Sequence, residues 1–365
     1  MSSLDDLRAR CEALAQGPLR TAAEQGTPGR LNRGLVKALA EHGVLAEIFD
    51  RPAKALVLCV IREALARHCT EAETAFALQG LGAYPIVLAG SAPIVDEWVP
   101  RVAAGDAAVG FALTEPEAGS DAAHLVLRAV PEGDDFLLTG EKTYISNAPE
   151  ADVYSVFART SDTGAKGITA FAVPRDTPGL DGEPLDLLAP HAIGRLRFTG
   201  ARVPRANVLG EVDGGWSVAM RTLDMFRPSV GAFAVGMAQA ALDAAIAHAT
   251  HRHAFGKPLS AFQGLTHQLA DVATRLHAAR LLVHDAATAY DAAPGTTASL
   301  SAMAKLFATE TAQQAVDLSI QVHGAQALER GHLLEHLYRE VRAPRIYEGT
   351  SEIQREIIAR ALFRK

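Results

Sequence analysis

The sequence predicts an α+β protein of several domains, with helices at both ends of the chain and a β-sheet between them. Three observations lead to this prediction: a length of 365 residues, a composition of 48% hydrophobic and 21% charged residues, and two changes of hydrophobic periodicity along the chain. The changes predict an N-terminal helical domain at 1–107, a middle antiparallel β domain at 108–212 and a C-terminal helical bundle at 213–365.

The first domain is assigned to helices because apolar residues recur on one face, as at Leu35 and Leu39. In the middle domain, short runs of β-branched and aromatic residues alternate with Gly, Asp and Pro, which is typical of strands and turns. The strand-like runs are 135–139, 153–157 and 168–173. After them the helical period returns, with Val230, Phe233 and Met237 on one stripe. Pro294-Gly295 is predicted to separate the second and third long helices of an antiparallel bundle.

Charge and composition exclude several classes of protein. The 35 Lys and Arg against 42 Asp and Glu give a net charge of −7, which argues against a nucleic-acid-binding surface. The three cysteines lack a C-x-x-C spacing and are interpreted as reduced thiols. Asp5 and Asp6 lie where an export signal would carry basic residues, and the strongest apolar run, 55–61, is too short to span a bilayer. We therefore expect a cytoplasmic protein without membrane insertion.

Several common site motifs are missing from the sequence. Gly256-Lys257 is followed by Pro258 rather than Ser or Thr, so this is not a P-loop, and no G-x-G-x-x-G follows a predicted strand. The G-x-S-x-G motif typical of serine hydrolases is also missing. His251 and His253 would point in different directions on a helix, so we expect no metal site there.

Two stretches have compositions that suit ligand binding. The first, FALTEPEAGSD at 111–121, leads a predicted strand into a turn whose amides and hydroxyls can hold a pyrophosphate or a ring carbonyl, although an ordinary β-turn is the alternative. The second, YEGTSEIQ at 347–354, places Glu348 in a loop before a helix that Thr350 or Ser351 can cap. Gly349 permits close approach of the backbone to a ligand, whereas a loop glutamate is most often merely solvated.

Five stretches, these two included, occur in the order and approximate spacing of one family. They are TEPEAGSD at 114–121, YISN at 144–147, RHAFGKP at 252–258, QVHGAQA at 321–327 and YEGTSEIQ at 347–354. From about Leu35 to its end, the sequence resembles the acyl-CoA dehydrogenases, which depend on FAD. The resemblance implies an acyl-CoA dehydrogenase-like fold with a C-terminal four-helix bundle, in which FAD lies between the sheet, the bundle and a neighbouring subunit.

The resemblance also implies the residues of a cofactor site. Ser120 is expected to contact both FAD and the thioester, Ser146 to place its hydroxyl near flavin N5, and Tyr144 to occupy the place of a common Trp. Arg252 and Phe255 are expected to reach the FAD of a partner subunit. The full predicted cofactor-binding set is Phe111, Leu113, Thr114, Gly119, Ser120, Tyr144, Ser146, Arg252, Phe255, Gln263, Gln321, Gly324, Thr350 and Glu352.

The implied reaction is α,β-dehydrogenation of an acyl thioester, bound to CoA or to an acyl carrier protein. Glu348 is expected to remove the α proton, while flavin N5 takes the β hydride. The expected substrate-binding residues are Ser120, Asp224, Arg227 and Gly349. The resemblance further implies a homodimer or homotetramer and an electron acceptor such as an electron-transfer flavoprotein.

The sequence departs from the family pattern at several places. Ala325 and Ala327 stand where the family usually has glycine, which is predicted to weaken FAD binding. The 190–200 segment is shorter than in the family, and four arginines lie in it or after it: Arg195, Arg197, Arg202 and Arg205. One interpretation is that they bind CoA phosphates or an acidic carrier protein, and the alternative is that they are solvated at strand ends. The predicted deep end of the acyl pocket, with an ordinary buried helix face as the alternative, is Glu73, Thr74, Phe76 and Ala77.

Three other functions stay open at this point. A flavin-dependent acyl-CoA oxidase using O2 would share every motif. A flavin-free paralogue would act only as an interaction partner, although the retention of Glu348 argues against it. A DNA-associated relative is disfavoured by the acidic net charge.

Overall fold

The computed structural model describes residues 3–49 and 53–363. Their internal contacts divide them into two compact units, each composed of several chain segments. Unit 1 lies within residues 1–16, 54–73 and 224–365, and unit 2 within residues 17–53 and 74–223. The residue boundaries of the three predicted domains stay predictions.

Helices form the parts of the chain before and after the sheet, as the change of periodicity predicts. Their bounds are α1 Leu4–Gln16, α2 Pro18–Glu24, α3 Arg33–Glu41, α4 Ala46–Phe49, α5 Ala55–His68, α6 Thr70–Ala89, α7 Ala92–Ala103, α8 Gly215–His251, α9 Gln263–Ala292, α10 Ala298–His323, α11 Leu333–Arg342 and α12 Ser351–Phe363. The interval between α9 and α10 contains Pro294-Gly295, which confirms the predicted break there.

In unit 1, long helices pack along one another: α5 against α1 and α9, and α10 against α9, α11 and α12. The predicted stripe of α8 is buried, since Val230, Phe233 and Met237 are at most 2% exposed. By length and composition α8 is apolar enough to cross a membrane, but most of its apolar stretch is buried inside the protein. It therefore has the burial of a core helix.

The sheet lies wholly in unit 2. Its strands are β1 Val109–Ala112, β2 Arg128–Glu132, β3 Asp135–Ser146, β4 Val153–Arg159, β5 Ile168–Pro174, β6 Leu180–Pro184, β7 Ile193–Pro204 and β8 Val208–Leu209. Their order is β6-β7-β3-β2-β4-β5-β8, with β1 paired to β4. A separate two-stranded hairpin in unit 1 consists of β9 His253–Ala254 and β10 Lys257–Pro258.

The prediction of an antiparallel sheet needs one correction, because the sheet is mixed. Most neighbours are antiparallel, but β1 pairs with β4 in parallel, and so does β2 at its first residue. The parallel pairing of β1 brings the segment that precedes the 114–121 turn alongside Tyr154 and Ser155. Short-range patterns do not specify such a pairing, since β1 and β4 are separated by two other strands in the chain.

The core of unit 2 is aromatic and aliphatic. Phe136 of β3 and Phe171 of β5 meet edge to face with their ring centroids 5.2 Å apart, and both are at most 1% exposed. The alternating burial along β3 and β7 places one face of each strand on this core.

All three cysteines, Cys11, Cys59 and Cys69, are buried in unit 1 and form no disulfide. Burial raises the pKa of Cys59 well above that of an ordinary thiol. The thiol of Cys59 is therefore a packing group rather than a reactive one.

Candidate active site

The loop that carries Glu348 connects α11 to α12 in unit 1, and its backbone is unusual. Glu348 has φ 51° and Gly349 has φ 92°, so two consecutive residues are left-handed. This conformation costs a non-glycine residue of order 1–3 kcal/mol and persists only where its surroundings hold it. A Cβ added to Gly349 would lie 2.6 Å from Gln354 Nε2, so the position is closed to larger residues.

The carboxyl group of Glu348 is enclosed even though the residue as a whole is only half-buried. Its Oε2 is buried and makes no hydrogen bond within the described part of the chain. Burial raises the pKa of Glu348, while the positive charges of Arg62, Lys305 and Arg227 act in the opposite direction. A buried carboxyl oxygen without a donor suits a group that accepts a proton from a ligand.

The two arginines near this loop are each bound to an acidic partner. Arg62 of α5 donates to Glu73 and, at 2.7 Å, to Ser229 Oγ. Arg227 of α8 donates to Asp224 Oδ1 at 2.5 Å. Burial raises the pKa of Asp224, and the charge of Arg227 opposes that rise. The side chains of both arginines are less than 10% exposed, so they are fixed charges.

The same loop is bound by two side chains that the sequence analysis missed. Lys305 of α10 and Gln354 of α12 are both 0% exposed. Lys305 Nζ donates to the carbonyl of Tyr347 at 2.7 Å and to that of Gly349, and Gln354 Nε2 donates to the carbonyls of Glu348 and Gly349. The sequence does contain a signal for Lys305, since it stands among the small and apolar residues AMAKLFA of α10, where a lysine is unusual.

In unit 2 a buried ion pair joins the 114–121 turn to β3. Glu115 accepts from the amides of Val126 at 2.6 Å and Leu127 at 3.0 Å, and from Lys142 Nζ at 2.8 Å. Lys142 also donates to the carbonyl of Leu113 at 2.9 Å. Both charged side chains are at most 2% exposed. The ion pair therefore holds the first of the five family motifs against β3, the strand that ends within the YISN motif.

The predicted flavin residues of unit 2 lie around this pair, on β1, the turn and the end of β3. Phe111, Leu113 and Ser146 are buried, whereas Ser120 and Tyr144 are exposed. Thr114 accepts the amide of Thr143 at 2.9 Å, and a Cβ at Gly119 would meet no atom within 4 Å. Tyr144 and Asn147 have φ 57° and 56°, and Asn147 Nδ2 donates to the carbonyl of Val109 at 2.9 Å.

The residues predicted to reach a partner subunit's FAD are exposed in unit 1. Phe255, at the tip of the β9–β10 hairpin, is 95% exposed and has φ 52°. The end of α8 meets the end of α10, since the rings of His248 and His323 stack at 4.2 Å. The other exposed residues of unit 1 in the predicted cofactor-binding set are Arg252, Gln263, Gln321, Gly324 and Glu352. Thr350 accepts the amide of Ile353 at 3.3 Å, as a helix cap does.

The departures from the family pattern have distinct surroundings. Ala325 is exposed but Ala327 is completely buried, so only the methyl group of Ala325 lies at the surface. Arg195 pairs with Glu141 and Glu183, and Arg202 pairs with Asp135 and Glu132. These pairings favour the interpretation that both arginines belong to strand ends.

The predicted deep-pocket residues are divided between the units. Glu73 belongs to unit 1, where it is bound by Arg62, and Thr74, Phe76 and Ala77 belong to unit 2. Phe76 is 0% exposed. Among residues 3–49 and 53–363, no group of three or more His, Cys, Asp or Glu side chains is arranged to hold a metal ion.

Each unit by itself carries groups whose chemistry suits a part of FAD. In unit 2, hydroxyls and backbone amides lie on a turn that is held by a buried ion pair, and they suit a ring carbonyl edge. In unit 1, the exposed guanidinium of Arg252 suits a pyrophosphate. The enclosed carboxyl of Glu348 adds a proton acceptor.

Comparison with known proteins identifies the family. Residues 3–106, 110–200 and 213–363 match the acyl-CoA dehydrogenase N-terminal, middle and C-terminal domains. The short-chain specific acyl-CoA dehydrogenase of Rattus norvegicus mitochondria is 38% identical over 98% of this chain and 89% of its own. Butyryl-CoA dehydrogenase from Megasphaera elsdenii has a similar structure, with a TM-score of 0.93 at 30% identity, covering 100% of this chain and 99% of its own.

A third relative has been solved with the reduced cofactor. The glutaryl-CoA dehydrogenase from Mycobacterium smegmatis, in complex with FADH2, has a TM-score of 0.91 at 28% identity and covers 99% of this chain and 95% of its own. The matches span all three parts of the fold, helical, β and helical. The chain therefore belongs to the acyl-CoA dehydrogenase family and is an FAD-dependent oxidoreductase.

Proposed function

We propose that this enzyme introduces an α,β double bond into an acyl-CoA thioester and that Glu348 is the base. The observation that carries the proposal is the enclosed Oε2 of Glu348, which has no hydrogen-bond donor in the described part of the chain. Burial raises the pKa of this carboxyl, which brings it closer to the working pH of a general base.

The chain's own residues determine how that base behaves. Lys305 and Gln354 bind the carbonyls of the loop and hold the backbone at Glu348, so the loop needs little reorganisation when a substrate binds. The positive charges of Arg62, Lys305 and Arg227 oppose the rise of its pKa and so favour the carboxylate that accepts the proton. When bound, FAD supplies the hydride acceptor at N5. Proton removal then leaves Glu348 neutral beside three cations, which favours its later release of the proton.

The relatives named above act on CoA esters, and CoA is the carrier proposed here. The acid-paired Arg195 and Arg202 do not favour an acidic carrier protein. An electron-transfer flavoprotein is the proposed electron acceptor, and buried thiols support a reducing, cytoplasmic setting. Anaerobic mixing with short-chain, branched and cyclic acyl-CoAs should bleach the flavin. Rapid peroxide formation in air would instead identify an oxidase, and a protein that cannot be loaded with FAD would refute the proposal.

We propose that the flavin end of FAD is held by Leu113, Thr114, Ser120 and Ser146 of unit 2, and the phosphate end by Arg252 of a second copy. The exposure of Arg252 and Phe255 supports this role, because both side chains are accessible to a second copy of the chain. Arg252→Ala is expected to weaken FAD binding about tenfold to a hundredfold, the effect of losing charge-assisted hydrogen bonds. The measurement is flavin titration of the apoprotein, with light scattering for the oligomeric state. A monomer retaining stoichiometric FAD would contradict the shared site.

Ser146 tests the flavin end of the proposed site. Ser146 is the last residue of β3 and is buried. Two residues with a left-handed backbone, Tyr144 and Asn147, lie on either side of it in the sequence. Ser146→Ala is expected to slow flavin reduction about threefold to tenfold, as removal of one neutral hydrogen bond does, without changing the melting temperature. Single-turnover reduction at the wild-type rate would exclude Ser146 from the mechanism. Ser155→Ala is not a suitable control, because Ser155 Oγ holds the carbonyl of Gly82; the exposed Ser260→Ala is suitable.

A further inference from the structure

The three consecutive carbonyl groups around Glu348 all accept hydrogen bonds from buried side chains. Lys305 binds the carbonyl of Tyr347, Gln354 binds that of Glu348, and both bind that of Gly349. These contacts join the loop to α10 on one side and to α12 on the other. The loop carrying the proposed base is therefore held by its backbone, independently of its carboxyl group.

A lysine at position 305 is energetically unfavourable, because its ammonium group is buried. Burial disfavours the ammonium group, and it lowers the pKa of Lys305 to about 8. Two backbone carbonyls need only two neutral donors, which the amide group of a glutamine supplies without an ionic charge. A buried cation at this place therefore points to a role for its charge as well as for its hydrogen bonds.

The charges around Lys305 show which group benefits from that cation. Glu348 on the loop and Glu310 on α10 favour the charged form of Lys305, and Arg227 on α8 opposes it. Glu310 is already bound by Arg345 at 2.9 Å and by Ser351 Oγ at 2.6 Å. The carboxyl of Glu348 has Arg62 on α5 and Arg227 on α8 as its other cations, and both of these are bound to acidic partners.

We infer that Lys305 is a positioning residue for Glu348: it fixes the loop through the carbonyls of Tyr347 and Gly349, and its charge favours the carboxylate form of the base. This inference rests on the proposed role of Glu348. It predicts that the geometry and the proton affinity of the base depend together on one side chain that need not touch the substrate.

Lys305→Met removes the charge and both hydrogen bonds while keeping a side chain of similar length. The FAD-loaded variant is expected to reduce its flavin about tenfold to a hundredfold more slowly under anaerobic acyl-CoA, because the base is displaced. Without the cation the pKa of Glu348 rises. The ascending limb of the plot of reduction rate against pH should therefore shift to higher pH, by about one pH unit. Thr309→Val, a buried position one turn further along α10, is the control and should keep the wild-type rate and limb.

Two further variants separate the contributions of charge and hydrogen bonding. Lys305→Arg retains the charge and should return the limb to the wild-type pH. Lys305→Gln retains N–H donors without the charge, so its limb should stay shifted; it also replaces the methionine variant if that one does not fold. A neutral variant that holds FAD and shows the wild-type rate and pH limb would overturn the inference.

The wild-type enzyme and Glu348→Gln are measured in the same series. If no acyl-CoA bleaches the wild-type flavin, the proposed function fails. If the wild type is bleached, Glu348→Gln is inert and Lys305→Met behaves as wild type, only the inference about Lys305 fails.

Discussion

Glu348→Gln should leave the flavin oxidised when it is mixed anaerobically with an acyl-CoA that bleaches the wild-type enzyme. Glutamine has nearly the same volume and can occupy the same left-handed loop, but it cannot accept the α proton. The expected loss in the rate of flavin reduction is about a hundredfold to ten-thousandfold. FAD content and thioester binding should survive, because the loop is held through its carbonyls by Lys305 and Gln354 rather than by the carboxyl.

The pH dependence of the wild-type enzyme gives an independent check on this prediction. Burial raises the pKa of Glu348. The rate of flavin reduction should therefore increase with pH, and this increase should occur at a higher pH than the ordinary pKa of a glutamate would give. Glu356→Gln is a matched control, since Glu356 is exposed on α12 and pairs with Arg360 at 2.6 Å. Bleaching of Glu348→Gln at the wild-type rate would place the base elsewhere. Asp224, whose pKa is also raised by burial, would then be tested as Asp224→Asn.

Lys142→Met is expected to cause the largest loss of stability among these variants. It leaves Glu115 buried without its cation, retaining only the amides of Val126 and Leu127 as donors. Breaking a buried pair by removing one partner costs about 3–5 kcal/mol, far more than a surface lysine substitution. Because the pair holds the 114–121 turn against β3, the FAD content should fall together with the melting temperature.

A second substitution separates the ion pair from general damage to the sheet. Glu115→Gln combined with Lys142→Met removes both charges and should recover part of the lost stability, since no isolated charge is left buried. Lys166→Met, at an exposed lysine of the same unit, should melt within about 0.5 kcal/mol of the wild type. If Lys142→Met melts like the wild type and keeps its FAD, the pair does not hold the turn.

The fold was predictable where the pattern is local. The stripe of Val230, Phe233 and Met237 has the helical period and is buried in α8. Further along the chain, Pro294-Gly295 interrupts the helical pattern between α9 and α10. The mixed character of the sheet was not predictable, because the partner of β1 is set by packing of distant segments. A period of two residues specifies which face of a strand is buried but not which strand lies beside it.

The site divides in the same way. Glu348 was recognisable because its loop, its glycine and the following helix cap are contiguous in the sequence. Lys305 was not, since it lies 42 and 44 residues from the two carbonyls that it binds. Arg62 reaches Ser229 across 167 residues. Only tertiary packing shows that these side chains converge, because each of them looks, in its own helix, like an ordinary interruption of an apolar face.

The burial of Cys11, Cys59 and Cys69 has a practical consequence for work on this enzyme. Thiol reagents need an accessible thiolate, and burial together with a raised pKa denies them one at Cys59. The native protein should therefore incorporate almost no maleimide dye. A cysteine placed at the exposed tip of the β9–β10 hairpin, by Phe255→Cys or at Gly256, would become the single reactive sulfur, and a fluorophore there would report directly on whether a second copy covers that hairpin.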